Sequence, residues 1–229
     1  MPTKSHFSAA LFDFLRQLAK NNNRDWFQAN KARYETDVRE PALAFIEGVG
    51  AGLRKISPHV VADPKPVGGS MFRINRDIRF AKDKSPYKTA LGMSFYHDQG
   101  SHQVAPGYYL QLEPGTSFAG GGIHMADNRS LNQVRDLIVA EPDVWTKVTR
   151  GGKFAAMYTY RGESLKRAPQ GYDPDHPLVD DLKRKGYGWH AMYSEKDVTS
   201  PGFMERYLED CQVASPFSAL MARALGVEW

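Results

Sequence analysis

At Val60 the spacing of apolar residues changes, which restricts the chain to folds whose helices and sheet come from separate stretches. Before that point Phe7, Leu11, Phe14, Leu15 and Leu18 recur at helical spacing. Ser8 is placed to cap this helix, which runs to about Lys20. Asn21-Asn22-Asn23 then stops it, because asparagine tolerates the left-handed conformation and competes for backbone hydrogen bonds. A second helix is expected over residues 24–38, with Trp26, Phe27, Asn30, Tyr34 and Val38 near one stripe. A third starts at Pro41, which suits a first helical turn. It would bury Leu43, Phe45, Ile46, Val49 and Leu53 and end at Ser57-Pro58.

After Val60 the apolar residues alternate. Residues 71–80, 91–96, 108–113 and 117–123 each read as a strand, separated by Gly, Pro, Asp and Ser clusters. That pattern predicts an antiparallel meander. Asp127 is placed to cap a helix carrying Leu131, Val134, Leu137 and Ile138, and Pro142 opens a shorter one to about Thr149. Residues 161–177 are polar and proline-bearing and read as an ordered excursion. A short helix at 178–185, a strand at 187–193 and helices at 201–213 and 216–225 follow. Helices, then strands, then a mixture predict an α+β fold: an antiparallel β-sheet core with N-terminal and C-terminal helices packed on it. One domain is expected, with a helical part over 7–57, a β part over 68–125 and a mixed part over 127–229.

At 229 residues the chain can bury a core without staples. Its single cysteine, Cys211, excludes an internal disulfide and a cysteine metal cage, and fits a reducing compartment. There is no basic region followed by an apolar run at the start, and no stretch near the ~18 apolar residues of a spanning helix. A cytoplasmic location with no membrane partner is therefore expected.

Charge concentrates in one place. Residues 73–88 hold six cations, Arg73, Arg76, Arg79, Lys82, Lys84 and Lys88, against two anions, Asp77 and Asp83. The segment nets 6 − 2 = +4, which is also the formal charge of the whole chain. In an extended conformation Arg73, Asn75, Asp77 and Arg79 share one face, while Arg76 sits among Phe72, Ile74, Ile78 and Phe80. Alternatively Asn75-Arg76-Asp77 is a turn that gathers the three arginines. Guanidinium forks held close together suit carboxylate or phosphate recognition. The plain alternative is that the two acids pair with arginines and lock a hairpin, with the lysines guarding a solvated edge. Two acids cannot neutralise six cations, so an anionic small molecule is the expected ligand. Its site is assigned to Arg73, Asn75, Arg76, Asp77, Arg79, Lys82, Lys84, Tyr87 and Lys88.

The pattern Arg73-x-x-Arg76-Asp77-x-Arg79-Phe80, with Asp83-Lys84-x-x-Tyr87 after it, resembles the signature of a conserved hypothetical family, domain of unknown function 2461. Phe14-Leu15, Leu18, Asn21-Asn22 and Asp25-Trp26-Phe27 resemble its N-terminal segment. Gly120-Gly121-Gly122-Ile123, Leu131 and Arg135 resemble its middle. The likeness is good over residues 7–138 and looser beyond. It implies a soluble, mostly bacterial protein of about this length and implies no activity.

Two other functions use the same residues. In an enzyme of phosphoryl or acyl transfer the arginines would stabilise developing charge, with Asp77 or Asp83 as general base. Neighbouring cations lower a carboxylate's pKa, which opposes that role. In an interaction module the basic face would dock nucleic acid or an acidic protein, with Tyr108, Tyr109, Tyr158 and Tyr160 as possible stacking faces. Gly120-Gly121-Gly122 lacks the residues of a P-loop and reads mainly as close strand packing. The seven histidines, His97, His102 and His124 among them, form no HExxH or H-x-H motif, so no metal site is assigned. No cofactor is indicated. Cys211, among apolar neighbours, reads as a core residue.

Overall fold

The computed structural model describes residues 5–100, 104–123, 126–158 and 163–229. His102, His124 and Tyr160 lie outside the described residues. Helix α1 spans Ala9–Lys20 and buries Leu11, Phe12, Phe14, Leu15 and Leu18. Helix α2, Arg24–Ala29, is capped by Asn23, whose side chain accepts from the Trp26 N–H at 2.9 Å. The expected second helix does not run to residue 38: it breaks at Asn30. Helix α3, Lys31–Tyr34, then passes through a π turn, Glu35–Arg39, into α4, Glu40–Ile56. Pro41 explains the π turn. Proline has no N–H, and its ring collides with the carbonyl four residues earlier in a regular α-helix. A wider turn, in which the Glu40 N–H reaches the Glu35 carbonyl, avoids that collision without ending the helix.

Among the described residues five strands form one antiparallel sheet in the order β1-β2-β3-β4-β5, as the alternating pattern requires. They are β1 Val60–Val61, β2 Leu91–His97, β3 Gly107–Leu112, β4 Ser117–Ile123 and β5 Tyr187–Tyr193. The strand expected over 71–80 is absent. Residues 70–72 only follow the free edge of β2, with the Phe72 N–H bonded to the Gly92 carbonyl at 2.9 Å and a bridge from Met71 to Met93. Beyond them the chain leaves the sheet as an irregular hairpin. Asn75 bridges Tyr87, the Arg76 N–H reaches Pro86 and the Lys88 N–H reaches Ile74. Side chains then take over from strand pairing. Asp77 accepts from the Arg79 N–H, Asp83 accepts from the Ser85 N–H, and the Lys84 ammonium donates to the Ile78 carbonyl. Such local side-chain bonds bend the backbone away from extended pairing.

After β4 come α5, Asn128–Ala140, capped by Asp127, and α6, Pro142–Arg150, both at their expected places. Helix α7, Val179–Leu182, precedes β5. Helix α8, Glu195–Val198, follows it and opens on a Ser194/Asp197 capping box. The two helices expected at 201–213 and 216–225 are one, α9, Phe203–Leu225, with Pro216 inside it. Cys211, Ala214, Phe217 and Met221 are fully buried on both sides of the proline. Their packing outweighs one lost backbone bond. Helix α9 packs on β4 and against α4, α5 and α6.

The sheet therefore has two unlike faces. Leu91, Met93, Phe95, Tyr108, Leu110, Leu112, Trp189 and Tyr193 are buried on the helical side. The Tyr108 hydroxyl donates to the Cys211 carbonyl at 3.0 Å. Across the other face a row of rings, Phe72, Tyr109, Phe118 and His190, runs with neighbouring centroids 5.2 to 5.9 Å apart.

Candidate functional site

A cleft of about 610 Å³ opens where the irregular hairpin leaves the sheet. Gly92 of β2 with Tyr109 and Gln111 of β3 line it from the less covered sheet face, and Ala19 and Asn22 line it from the end of α1. The hairpin contributes Phe72, Arg76, Asp83, Ser85, Tyr87 and Lys88. A Cβ on Gly92 would stand 2.6 Å from the Tyr109 hydroxyl and displace that ring from its place in the cleft wall. The Tyr109 hydroxyl donates to Gln111 Oε1 at 3.1 Å, and Gln111 Nε2 donates to Glu113 at 2.8 Å. Burial, and then the nearby Glu113 charge, raise the Tyr109 pKa, so the phenol stays neutral.

The nine residues assigned from sequence divide into two groups. Arg76, Tyr87 and Lys88 line the cleft. Arg73, Asn75, Asp77, Arg79, Lys82 and Lys84 are not part of its lining. Arg79 pairs with Asp77 at 2.6 Å on the loop, where Phe80 is 96% exposed. Arg76 pairs with Asp83. The three guanidinium groups thus make two separate ion pairs and leave Arg73 over. The Asp83 pKa lies well below the usual carboxylate range because the Ser85 hydroxyl, then Arg76, donate to it. The Asp77 pKa is lowered chiefly by the Arg79 side chain and backbone. Both acids are therefore anionic at neutral pH and poorly suited to accept a proton.

Two ion pairs leave Arg73, Lys82, Lys84 and Lys88 without a carboxylate partner among the described residues. Lys88 is the one in the cleft. Its ammonium donates to the Arg73 carbonyl at 2.9 Å and lies 5.3 Å from the centre of the Phe72 ring. Burial, and then the Arg73 charge, lower its pKa. Tyr87 is only 5% exposed and stacks on Phe27, with ring centroids 4.2 Å apart.

Asn22 was quoted from sequence as a helix stop, and its place beside the hairpin was missed. Its carboxamide accepts from the Tyr87 N–H at 3.0 Å and donates to the Tyr87 carbonyl at 2.9 Å. Its repetition in Asn21-Asn22-Asn23 hid it. The sequence offers Tyr109 as a stacking face and Gln111 only as part of a strand, and assigns neither to the anion site. Their alternation with buried Tyr108, Leu110 and Leu112 was the signal that they face the other way.

The glycine tract Gly120-Gly121-Gly122 lies within β4 and pairs with β3 on one side and β5 on the other. A Cβ on Gly121 would stand 2.7 Å from the Gly107 carbonyl and 2.7 Å from the Trp189 indole nitrogen. Close strand packing, not an anion-binding loop, accounts for it. Cys211 is buried, which pushes its thiol pKa up and leaves it inert. Among the described residues no helix is long and apolar enough to cross a membrane.

No curated protein and no solved structure was found to match the chain. A family model does, over residues 10–219, well past residue 138 where the quoted motifs thin out. The chain belongs to the family described as conserved hypothetical protein, DUF2461.

Proposed function

We propose that the cleft binds a small organic anion through a phosphate or carboxylate group. The observation that carries this reading is Lys88. A cation partly withdrawn from water, beside Arg73 and without a carboxylate, is in an unfavourable place until an anion joins it. Arg76 stands on the same wall with its partner Asp83 exposed to solvent. The Thr89 hydroxyl and the second carboxamide N–H of Asn22 offer neutral hydrogen bonds to the anion, and Phe72 and Tyr109 offer ring faces for its organic part. A shape of this kind, apolar rings with a few convergent polar groups, is typical of small-ligand sites. Arg73, Lys82, Lys84 and Arg79 would act at longer range by attracting the anion. A phosphoryl- or acyl-transfer enzyme at this place is the weaker reading. Among the described residues Asp83 is the one carboxylate in the lining, and it is committed to Ser85 and Arg76.

The test is a thermal-shift and calorimetric screen with inorganic phosphate, nucleoside monophosphates, sugar phosphates and dicarboxylates, run on the parent chain and on Lys88→Met. A ligand at 100 times its dissociation constant stabilises by ~2.7 kcal/mol. At ~2–4 °C per kcal/mol for a chain of this size, the parent midpoint should rise by roughly 5–11 °C. In Lys88→Met, which keeps the apolar stem, the rise should disappear. No response from the parent to any compound, or an equal response in the variant, removes the proposal.

The row of rings from Phe72 to His190 favours one second reading, a single-stranded nucleic acid laid across the sheet. Bases stack on aromatic faces with little regard to sequence. An oligonucleotide bound in this way should lose affinity steeply with salt, whereas a small anion in the cleft should lose it gently.

A further inference from the structure

At the far end of β2 from the cleft, His59, His97 and Asp98 meet although His59 and His97 are 38 positions apart in sequence. Gly92 and His97 are five residues apart along the strand, so this place lies on the order of 17 Å from the cleft. The backbone fixes the meeting. Val60 pairs with His97 in the β1–β2 register, and the Asp98 N–H bonds to the His59 carbonyl at 2.9 Å. The two imidazoles lie 5.3 Å apart at an interplanar angle of 7°. His59 Nδ1 is 3.0 Å from one Asp98 carboxylate oxygen, and His97 Nδ1 is 3.1 Å from the other.

The other nitrogen of each ring faces Glu228. His97 Nε2 lies 2.7 Å from the Glu228 backbone carbonyl, and His59 Nε2 lies 3.3 Å from the Glu228 carboxylate. A carbonyl can only accept, so His97 Nε2 carries a proton, and in the neutral ring Nδ1 keeps a lone pair. The Gln99 N–H, 3.2 Å from that Nδ1, agrees with an acceptor there. The His97 lone pair therefore also faces a carboxylate oxygen at 3.1 Å. Two acceptors at that distance repel unless something positive lies between them.

We infer that His59 Nδ1, His97 Nδ1 and the Asp98 carboxylate form a binding site for one divalent transition ion of the zinc class, with Glu228 orienting both imidazoles. Imidazole and carboxylate together are a donor set for such metals, and three protein ligands leave a fourth position for water. The donor atoms all lie within 4.8 Å of one another. Donors at ~2.0–2.1 Å around a tetrahedral ion stand about 3.4 Å apart, so the three side chains draw together by up to ~1.4 Å when the ion binds. A ligating histidine ordinarily gives its second N–H to a carbonyl or carboxylate. Glu228 supplies one of each. His97 is fully buried while the Asp98 side chain is 45% exposed, so a metal enters from the Asp98 side. Bound there, it would tie the residues after α9 to the β1–β2 edge.

The test uses the full chain without a histidine tag, stripped with chelator, dialysed and titrated with zinc chloride in a calorimeter. Magnesium and calcium chloride serve as controls, because those ions take oxygen ligands. One equivalent of zinc should bind, and neither control ion should. Binding should weaken at least 100-fold in His59→Ala and in Asp98→Ala. These positions are chosen over the buried His97 so that circular dichroism can show both variants folded. Glu228→Ala, which keeps the backbone carbonyl, should weaken binding by about tenfold, the low end for an orienting partner. A cobalt-loaded sample should show the visible bands of a four-coordinate site in the parent and lose them in Asp98→Ala. Absence of zinc binding would leave a proton as the bridging charge and overturn the inference. Equal binding by the parent and both folded variants would overturn it as well.

Discussion

The Asn22 carboxamide pairs with both backbone groups of Tyr87, as a neighbouring strand would. Tyr87 is buried, and no strand of the sheet reaches it. One side chain at the end of α1 thus closes the backbone bonding of the basic hairpin and holds it over the cleft. Removing it strands an N–H and a carbonyl, which costs about 1–3 kcal/mol. Asn22→Ala should lower the melting midpoint by roughly 2–12 °C, measured by circular dichroism. An unchanged midpoint would mean that water replaces the carboxamide and that the hairpin is held by the Tyr87–Phe27 stack instead. Lys88 differs at the same scale. Its surroundings disfavour its charge, so it is a residue whose replacement by methionine should leave the fold intact.

At the level of single elements, β4 depends on having no side chains at its centre. Gly122 has a φ of +119°, and a Cβ there would stand 2.2 Å from the Tyr187 carbonyl. That carbonyl cannot move aside, because Tyr187 belongs to the backbone of β5 paired with β4. Gly122→Ala combines a conformation that side chains avoid with an overpacked contact, for roughly 2–5 kcal/mol. Denaturant unfolding should show that loss in the midpoint, and a variant as stable as the parent would refute the close-approach account. The hairpin of residues 73–88 behaves in the opposite way. Its pattern alternates like a strand, yet Asp77 and Asp83 bond to backbone N–H groups two residues on and turn the chain aside. Period-two alternation shows which side chains lie on the same side. It does not supply a partner strand.

Across the whole molecule, Asp181 joins elements that are far apart in sequence. It is 2% exposed, accepts from the Trp145 indole at 3.1 Å, the Tyr158 hydroxyl at 3.1 Å and Arg150 at 3.2 Å, and forms an ion pair with Arg184 at 3.0 Å. Those contacts fasten α6 and α7 to each other beside α9. Breaking a buried ion pair from one side costs about 3–5 kcal/mol. Asp181→Ala should therefore lower the thermal midpoint by roughly 6–20 °C. In scanning calorimetry the parent and the variant should each unfold in one transition, as a single domain requires. A second transition appearing in the variant would divide the chain into separate units.

The sequence by itself determined the class of fold, most element positions and the place where charge gathers. Those properties depend on near neighbours along the chain: the period of apolar residues, capping residues such as Asp127, and breakers such as Ser57-Pro58. The family followed from the same kind of information, since a motif is a local string. What only the tertiary structure decided concerns residues that are distant in sequence. The arginines were legible as cations, but whether they cluster depended on Asp77 and Asp83, which divide them into separate ion pairs. The continuity of α9 through Pro216 depended on what covers both of its halves. The cleft needed α1, the hairpin and β3 to meet at Asn22, Lys88 and Tyr109. The meeting of His59 with His97 and Asp98 follows from the register of β1 on β2. The alternating pattern of a strand shows which of its faces is buried, but β1 and β2 are joined by no tight turn, so which residue of one meets which of the other is decided only when both pack on the shared core.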